Sequence, residues 1–195
     1  MRIVLATHNA HKVEEFQHIL GAALPEIEIV AYDGPEPVED GTSFEANALI
    51  KARAAAEHTG LVALADDSGI CVEALGNAPG VYSARYAGEP KSDERNNQKL
   101  VEALRNEPNK RAYYYAALVL VRHENDPQPL IAEGVWRGEV VLSPRGAGGF
   151  GYDPYFLLPQ LGKTAAELVP EEKNRVSHRA LALQRLAVLL KEQPL

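Results

Sequence analysis

Leu61 to Gly69 reads L-V-A-L-A-D-D-S-G: five apolar residues run directly into two adjacent carboxylates, a hydroxyl and a glycine. An apolar run this short predicts a strand buried on both faces. In open α/β sheets, ligands gather at the carboxyl ends of such strands. Side chains alternate across a strand, so Asp66 and Asp67 point to opposite sides. One carboxylate then faces a cleft and the other is held by structure. Asp67 is assigned to the cleft, because Ser68 and Gly69 are read as leading the chain into a turn.

The rest of the chain sets the limits. A length of 195 residues suits one domain, 1–195, with room for two lobes. A net charge of −7 argues against nucleic-acid binding, which needs a basic surface. An anionic small substrate remains open, since a metal ion and a few lysines make a local positive site. The single cysteine, Cys71, cannot staple a fold, so a reducing compartment is expected. It lies in the apolar run G-I-C-V and reads as a small buried hydrophobe rather than a nucleophile. No apolar run has the length of a membrane helix, and M-R-I-V-L-A-T-H-N turns polar too soon for a signal peptide. These limits describe a cytoplasmic enzyme or binding protein without a membrane partner.

Arg2 to Ala6 predicts a first strand, and Ala10 to Leu20 a helix with Val13, Phe16, Ile19 and Leu20 on one face. Between them, T-H-N-A-H-K (7–12) enters a helix N-terminus, where Asn9 caps and Lys12 is placed to meet a phosphate. No glycines surround the lysine, so this is not a Walker loop. Glu26 to Tyr32 predicts a second strand. The loop D-G-P-E-P-V-E-D-G (33–41) offers Glu36, Glu39 and Asp40 to a hard cation, or is simply a solvated acidic loop. Thr42-Ser43-Phe44-Glu45 reads as a capping box, Thr42 capping and Glu45 reaching back. The helix it opens runs to about Thr59, with Gly60 ending it and Phe44, Ala48, Ala52 and Ala55 in a narrow stripe. Lys51 is left to the cleft or to solvent.

Ile70 to Leu75 is expected to extend, and 76–88 to form a long loop. A surface helix follows over Ser92 to Leu104. Ala112 to Arg122 and Leu130 to Leu142 predict an antiparallel strand pair, with Tyr113, Tyr114 and Tyr115 as sheet residues. R-G-A-G-G-F-G-Y-D-P (145–154) holds four glycines in six positions. Phe150 and Tyr152 there offer flat apolar surface for stacking a base, and Asp153 an acceptor. Thr164-Ala165-Ala166-Glu167 is a second capping box. Ser177 is expected to cap a last helix, packed through Leu181, Leu183, Leu186, Leu189 and Leu190. His178 and Arg179 in its first turn oppose the helix dipole, which points to holding an anion or donating to a carbonyl.

Six blocks in this order resemble the family of inosine/xanthosine triphosphate pyrophosphatases: T-H-N-A-H-K at 7–12, N-A-L-I-K-A at 47–52, L-A-D-D-S-G at 64–69, G-N-A-P-G-V-Y-S-A-R-Y at 76–86, G-G-F-G-Y-D-P at 148–154 and E-K-N-R-V-S-H-R at 172–179. The family often carries Phe-x-Glu-Asn-Ala where this chain has Phe44-Glu45-Ala46-Asn47-Ala48, so any role of that glutamate is not carried over. The resemblance implies an α/β fold: an elongated central mixed β-sheet flanked by helices, two lobes around a substrate cleft, assembled as a homodimer. It implies Mg²⁺-assisted hydrolysis of dITP, ITP, XTP or dXTP to the monophosphate and pyrophosphate, by water attack at the α-phosphorus. Thr7, His8, Asn9, Ala10, His11 and Lys12 then cradle the phosphates, helped by Lys51. Asp67 is the general base and a metal ligand. Glu39 is the second metal ligand, with Glu36 or Asp40 as alternatives. Ser68 contacts the nucleotide. Phe150, Gly151, Tyr152, Asp153 and Lys173 hold base and sugar, and His178 and Arg179 face the purine edge. Donors aimed at a 6-oxo group are left unpaired when adenine enters, which supports discrimination of roughly 10⁴. The alternatives are a pyrophosphatase for other modified nucleotides and a non-catalytic nucleotide-binding module.

Overall fold

The computed structural model describes residues 1–195. The central strand is longer than expected. β3 spans Val62–Val72 and runs without a break through Asp66, Asp67, Ser68 and Gly69. The turn expected at Ser68-Gly69 is absent: the short β4 (Ala78–Pro79) pairs antiparallel with the far end of β3, Cys71 opposite Pro79, and keeps that segment extended.

Before β3 come β1 (Arg2–Leu5), α1 (Ala10–Ala23), β2 (Glu28–Val30) and α2 (Phe44–Thr59). After it come β4, α3 (Asp93–Leu104), β5 (Arg111–Val121), β6 (Leu130–Val140), β7 (Phe156–Leu158), β8 (Lys163–Thr164), α4 (Pro170–Val176) and α5 (His178–Glu192). The strand order is β2-β1-β3-β5-β6-β7-β8, with β4 on β3. β1 pairs parallel with β2 and β3, whereas β6–β7 and β7–β8 pair antiparallel, so the sheet is mixed. No helix is long and apolar enough to cross a membrane.

The chain divides into two units. Unit 1 holds Met1–Asp67, Ala116–Gly134 and Arg179–Leu195; unit 2 holds Ser68–Tyr115 and Val135–His178. In unit 1, strand alternation sorts the core. Ile3, Leu5, Leu64, Leu118 and Leu120 pack with Phe16 and Leu20 of α1 and Leu183 and Leu186 of α5. The alternate residues Val4, Ala63, Ala65, Val119 and Val121 pack with Ala48, Ala52 and Ala55 of α2. An alanine stripe lets that helix lie close on the sheet. Unit 2 is built around Ile70, Val72, Leu100, Leu104, Tyr114, Trp136 and Phe156.

Asn9 caps α1 as expected, and Gly60 ends α2 at φ 70°. The cap of α2 is Ser43, not Thr42: its hydroxyl accepts from Ala46 N, which moves Glu45 out of capping-box register. The segment 76–88 is not a plain loop, since Gly80–Arg85 is a 3-10 helix. In α5, Leu181 faces solvent, while Leu183, Leu186 and Leu190 are buried.

Candidate active site

The alternation that sorts the core also separates the two carboxylates. Asp66 shares the face of Leu64 and meets α1 and α5. Asp67 shares the face of Ala63 and Ala65 and meets α2. Asp66 is 3% exposed. Lys12 Nζ lies 3.3 Å from its Oδ1, Arg179 Nε 3.7 Å from its Oδ2, and the Arg179 guanidinium also contacts Glu15 at 3.4 Å. Burial works to raise the Asp66 pKa, but Lys12, Arg179 and Lys51 together hold it well below the usual carboxylate range.

Asp67 behaves oppositely. Burial is the main cause pushing its carboxyl up to about 6; Glu39 and Asp66 push the same way, and Lys51 and the Asn47 amide oppose it. Its Oδ2 is buried without a hydrogen-bond partner. Lys51 is the hub of this side. Its Nζ donates to the Asp66 carbonyl at 2.6 Å and stands 3.1 Å from Glu39 and 3.7 Å from Asp67. Burial lowers the Lys51 pKa, yet Asp66, Asp67 and Glu39 outweigh it, so the ammonium is firmly charged. Asn47 accepts from Gly41 N at 2.8 Å, tying the end of the acidic loop to α2.

The loop before α1 is ordered by its own side chains. Thr7 Oγ1 accepts from Asn9 N, and Asn9 Oδ1 accepts from His11 N and Lys12 N. Ala10 and His11 lie exposed in the first turn. His8 turns to the acidic loop: Nε2 meets the Gly34 carbonyl at 2.8 Å, Nδ1 stands 3.2 Å from Glu36, and the ring stacks on Tyr32. Glu36 is thus engaged by His8, Asp40 is exposed, and Glu39 joins Asp67 on Lys51.

Mg²⁺ asks for one or two carboxylates and keeps its remaining positions for water and substrate phosphates. Asp67, with its unpartnered buried oxygen, and Glu39, converging on the same lysine, fit that demand. No group of three or more His, Cys, Asp and Glu side chains forms a metal cage. The donor set suits an ion that shares its coordination with phosphate.

In unit 2, the glycine loop presents one ring. Phe150 is 63% exposed, with Lys173 Nζ 4.9 Å above its centroid. Tyr152 does not offer the flat surface expected of it; it is buried, and its hydroxyl donates to the Ser83 carbonyl. Asp153 is buried too, and accepts from Tyr114 OH (2.8 Å), Lys173 Nζ (2.6 Å) and Phe150 N (3.1 Å). Gly149 sits at φ 69°, and a Cβ there would collide with the Asp153 carboxylate. Asn97 Nδ2 donates to the Gly151 carbonyl, and Ser68 is half-buried in β3. His178 is buried with its ring stacked on Tyr114.

Sequence reasoning missed Glu15, Asn47, Asn97, Tyr114 and Trp136 as parts of these networks. Glu15 was findable, being one turn beyond Lys12 on the same face of α1. Asn97, Tyr114 and Trp136 act through partners distant in sequence, and the Asn47 contact with Gly41 follows from the path of the loop before α2, which has no periodic signal.

Two oppositely facing carboxylates in the middle of β3, just beyond its parallel pairing with β1, stand beside a capped helix N-terminus and two lysines, and this defines an open α/β protein equipped for phosphate chemistry. The Ham1 family model matches residues 3–189, and the chain belongs to that family. It is 58% identical to the dITP/XTP pyrophosphatase of Nitrosomonas europaea over 98% of this chain and 95% of that one. Identity to the dITP/XTP pyrophosphatase of Chromobacterium violaceum is 57%, over 97% of each chain. A HAM1 protein from Coxiella burnetii superimposes with a TM-score of 0.92 at 46% identity, covering 98% of this chain and 99% of that one.

Proposed function

We propose that this chain is a nucleoside-triphosphate pyrophosphatase that hydrolyses non-canonical purine nucleotides, ITP, dITP and XTP, to the monophosphate and pyrophosphate. The observation that carries the reading is Asp67: a carboxylate in the middle of β3 with one unpartnered buried oxygen, pushed up to about 6, beside Lys51 and Glu39. That value belongs to the metal-free site; a bound cation would lower it and keep the carboxylate ionised to accept a proton. The names of the 58% and 57% identical relatives support the substrate class.

Asp67 accepts the proton of the water that attacks the α-phosphorus, and pyrophosphate leaves. Lys12 and Lys51 neutralise charge on the phosphate oxygens, and the first turn of α1, with Thr7, His8, Asn9, Ala10 and His11, orients the chain of phosphates. Asp67 and Glu39 hold Mg²⁺, which when bound supplies Lewis-acid stabilisation of the phosphates. Ser68 contacts the nucleotide. Phe150 stacks the base, Lys173 and Asp153 fix base and sugar with Gly151 and Tyr152 shaping the loop, and His178 and Arg179 donate to the 6-oxo edge. On this reading residues 1–195 work as one catalytic domain, assembled as a homodimer in the cytoplasm. Sedimentation at micromolar protein tests the dimer, and cell fractionation the location.

Incubation with Mg²⁺ and ITP, XTP, GTP, ATP or dUTP decides the activity. Pyrophosphate released from ITP and XTP, with little from the others, is the expected result. Orthophosphate as product, or equal turnover of dUTP, would overturn the reading.

A further inference from the structure

Tyr114 holds a position that none of the proposed substrate contacts explains. It lies in β5, buried, with its hydroxyl 2.8 Å from Asp153 Oδ1. One face of its ring carries the His178 imidazole, the centroids 4.7 Å apart and the planes only 12° from parallel. Trp136 of β6 stands 6.0 Å from the Tyr114 ring and 6.1 Å from His178, nearly parallel to both. Phe156 closes the remaining side at 4.5 Å. A ring enclosed in this way has no freedom to tilt, so the imidazole lying on it is fixed in plane.

The hydroxyl acts on a different group. Asp153 accepts three hydrogen bonds, two on Oδ2 from Lys173 Nζ and Phe150 N, and the Tyr114 bond on Oδ1. The last of these sets the rotation of the carboxylate. The carboxylate in turn positions the Lys173 ammonium over the Phe150 ring. One side chain therefore governs both the imidazole and the loop that bears the exposed ring.

We propose that Tyr114 is a specificity-determining positioning residue: its ring fixes the plane of His178 for reading the purine edge, and its hydroxyl fixes Asp153, and through it Lys173 and Phe150, for holding the base. The proposal rests on the pyrophosphatase reading above. Its two parts separate chemically. Phenylalanine at 114 keeps the stacking face and loses the donor; leucine loses both.

Steady-state kinetics with ITP and ATP, together with thermal melts, test it in wild type, Tyr114→Phe and Tyr114→Leu. Tyr114→Phe is expected to raise KM for ITP by roughly three- to tenfold with kcat within about twofold, and to keep the ITP:ATP ratio of kcat/KM. Tyr114→Leu is expected to lower that ratio by roughly tenfold or more, because a freely turning imidazole no longer disfavours the 6-amino group. A general loss of packing would lower kcat for both substrates alike and leave the ratio unchanged. A cooperatively melting Tyr114→Leu with the wild-type ratio overturns the specificity part. If that variant does not fold, Tyr114→Phe decides alone, and an unchanged KM overturns the proposal. Wild-type protein that turns over ITP and ATP equally would instead overturn the function reading, before any variant is made.

Discussion

Asp66 and Asp67 are consecutive residues of one strand, yet the structure treats them as different chemical species. Asp66 faces α1 and α5, where Lys12 and Arg179 approach its two oxygens. Asp67 faces α2, where Lys51 is shared with Glu39 and one carboxylate oxygen finds no partner. Asp66 is buried and Asp67 partly buried, and desolvation alone would raise both. The number of nearby cations decides the sign: Lys12 and Arg179 on its own face, with Lys51 across the strand, drive the Asp66 pKa down, and Lys51 alone, shared with Glu39, cannot do so for Asp67. A single residue step along a strand therefore separates a carboxylate held firmly charged from one pushed up to about 6.

The sharpest way to break this comparison is to remove the charge at Asp67. Asp67→Asn should reduce kcat for ITP by about 10³-fold or more, through loss of the proposed general base. The same change should stabilise the metal-free protein at pH 8. Raising a carboxyl from 3.8 to about 6 disfavours its charged form by roughly 3 kcal/mol, and an amide recovers part of that, about 1–2 kcal/mol. The pH dependence follows. Stability linked to Asp67 is fully present below pH 4 and is lost as pH rises through about 6, because the folded form binds the proton more tightly. Denaturant melts from pH 4 to 8 in EDTA should show that slope in wild type and not in the variant. Equal slopes would mean that Asp67 is not the raised group.

Asp66→Asn should act in the opposite sense. It strips a buried carboxylate from Lys12 and Arg179, and breaking a buried pair by removing one partner costs about 3 kcal/mol. For a chain of this size that is a fall in Tm of roughly 6–12 °C. Stability linked to Asp66 is present above pH 4 and fades as pH drops through its depressed folded value. A variant that melts like wild type at pH 7 but remains inactive would give Asp66 a direct role in turnover in place of its structural one.

What the sequence reveals and hides has physical causes. Alternation along β3 is local, so the opposed directions of Asp66 and Asp67 could be read from the order of residues alone. The continuation of β3 through Gly69 could not, because pairing of Cys71 with Pro79 imposes it. Thr42 and Ser43 are adjacent hydroxyls, and only the backbone path selects Ser43 as the cap. The glycine loop has no periodicity, so nothing in it tells that Phe150 turns out while Tyr152 and Asp153 turn in. Glu15 and Arg179 meet across 164 positions of chain, and no spacing rule reaches that far.

The smallest expected effect is also the most discriminating for the side of α2. Glu39 has two influences on Asp67. Its charge raises the Asp67 pKa, and its carboxylate is the proposed second oxygen donor to Mg²⁺. Glu39→Gln removes both. Loss of the charge should move the acid limb of kcat/KM to lower pH, whereas loss of the donor should raise the Mg²⁺ concentration for half-maximal rate by roughly three- to tenfold. Assays across pH 5 to 8 at several Mg²⁺ concentrations separate the two. If the limb moves and the metal requirement does not, the donor is elsewhere in the acidic loop. Glu36, held by His8, and exposed Asp40 are then the positions to replace. If the metal requirement rises and the limb stays, Glu39 acts as a ligand without acting on the proton acceptor. The division between a metal-binding and a proton-accepting role would then run between Glu39 and Asp67, not within Asp67 alone.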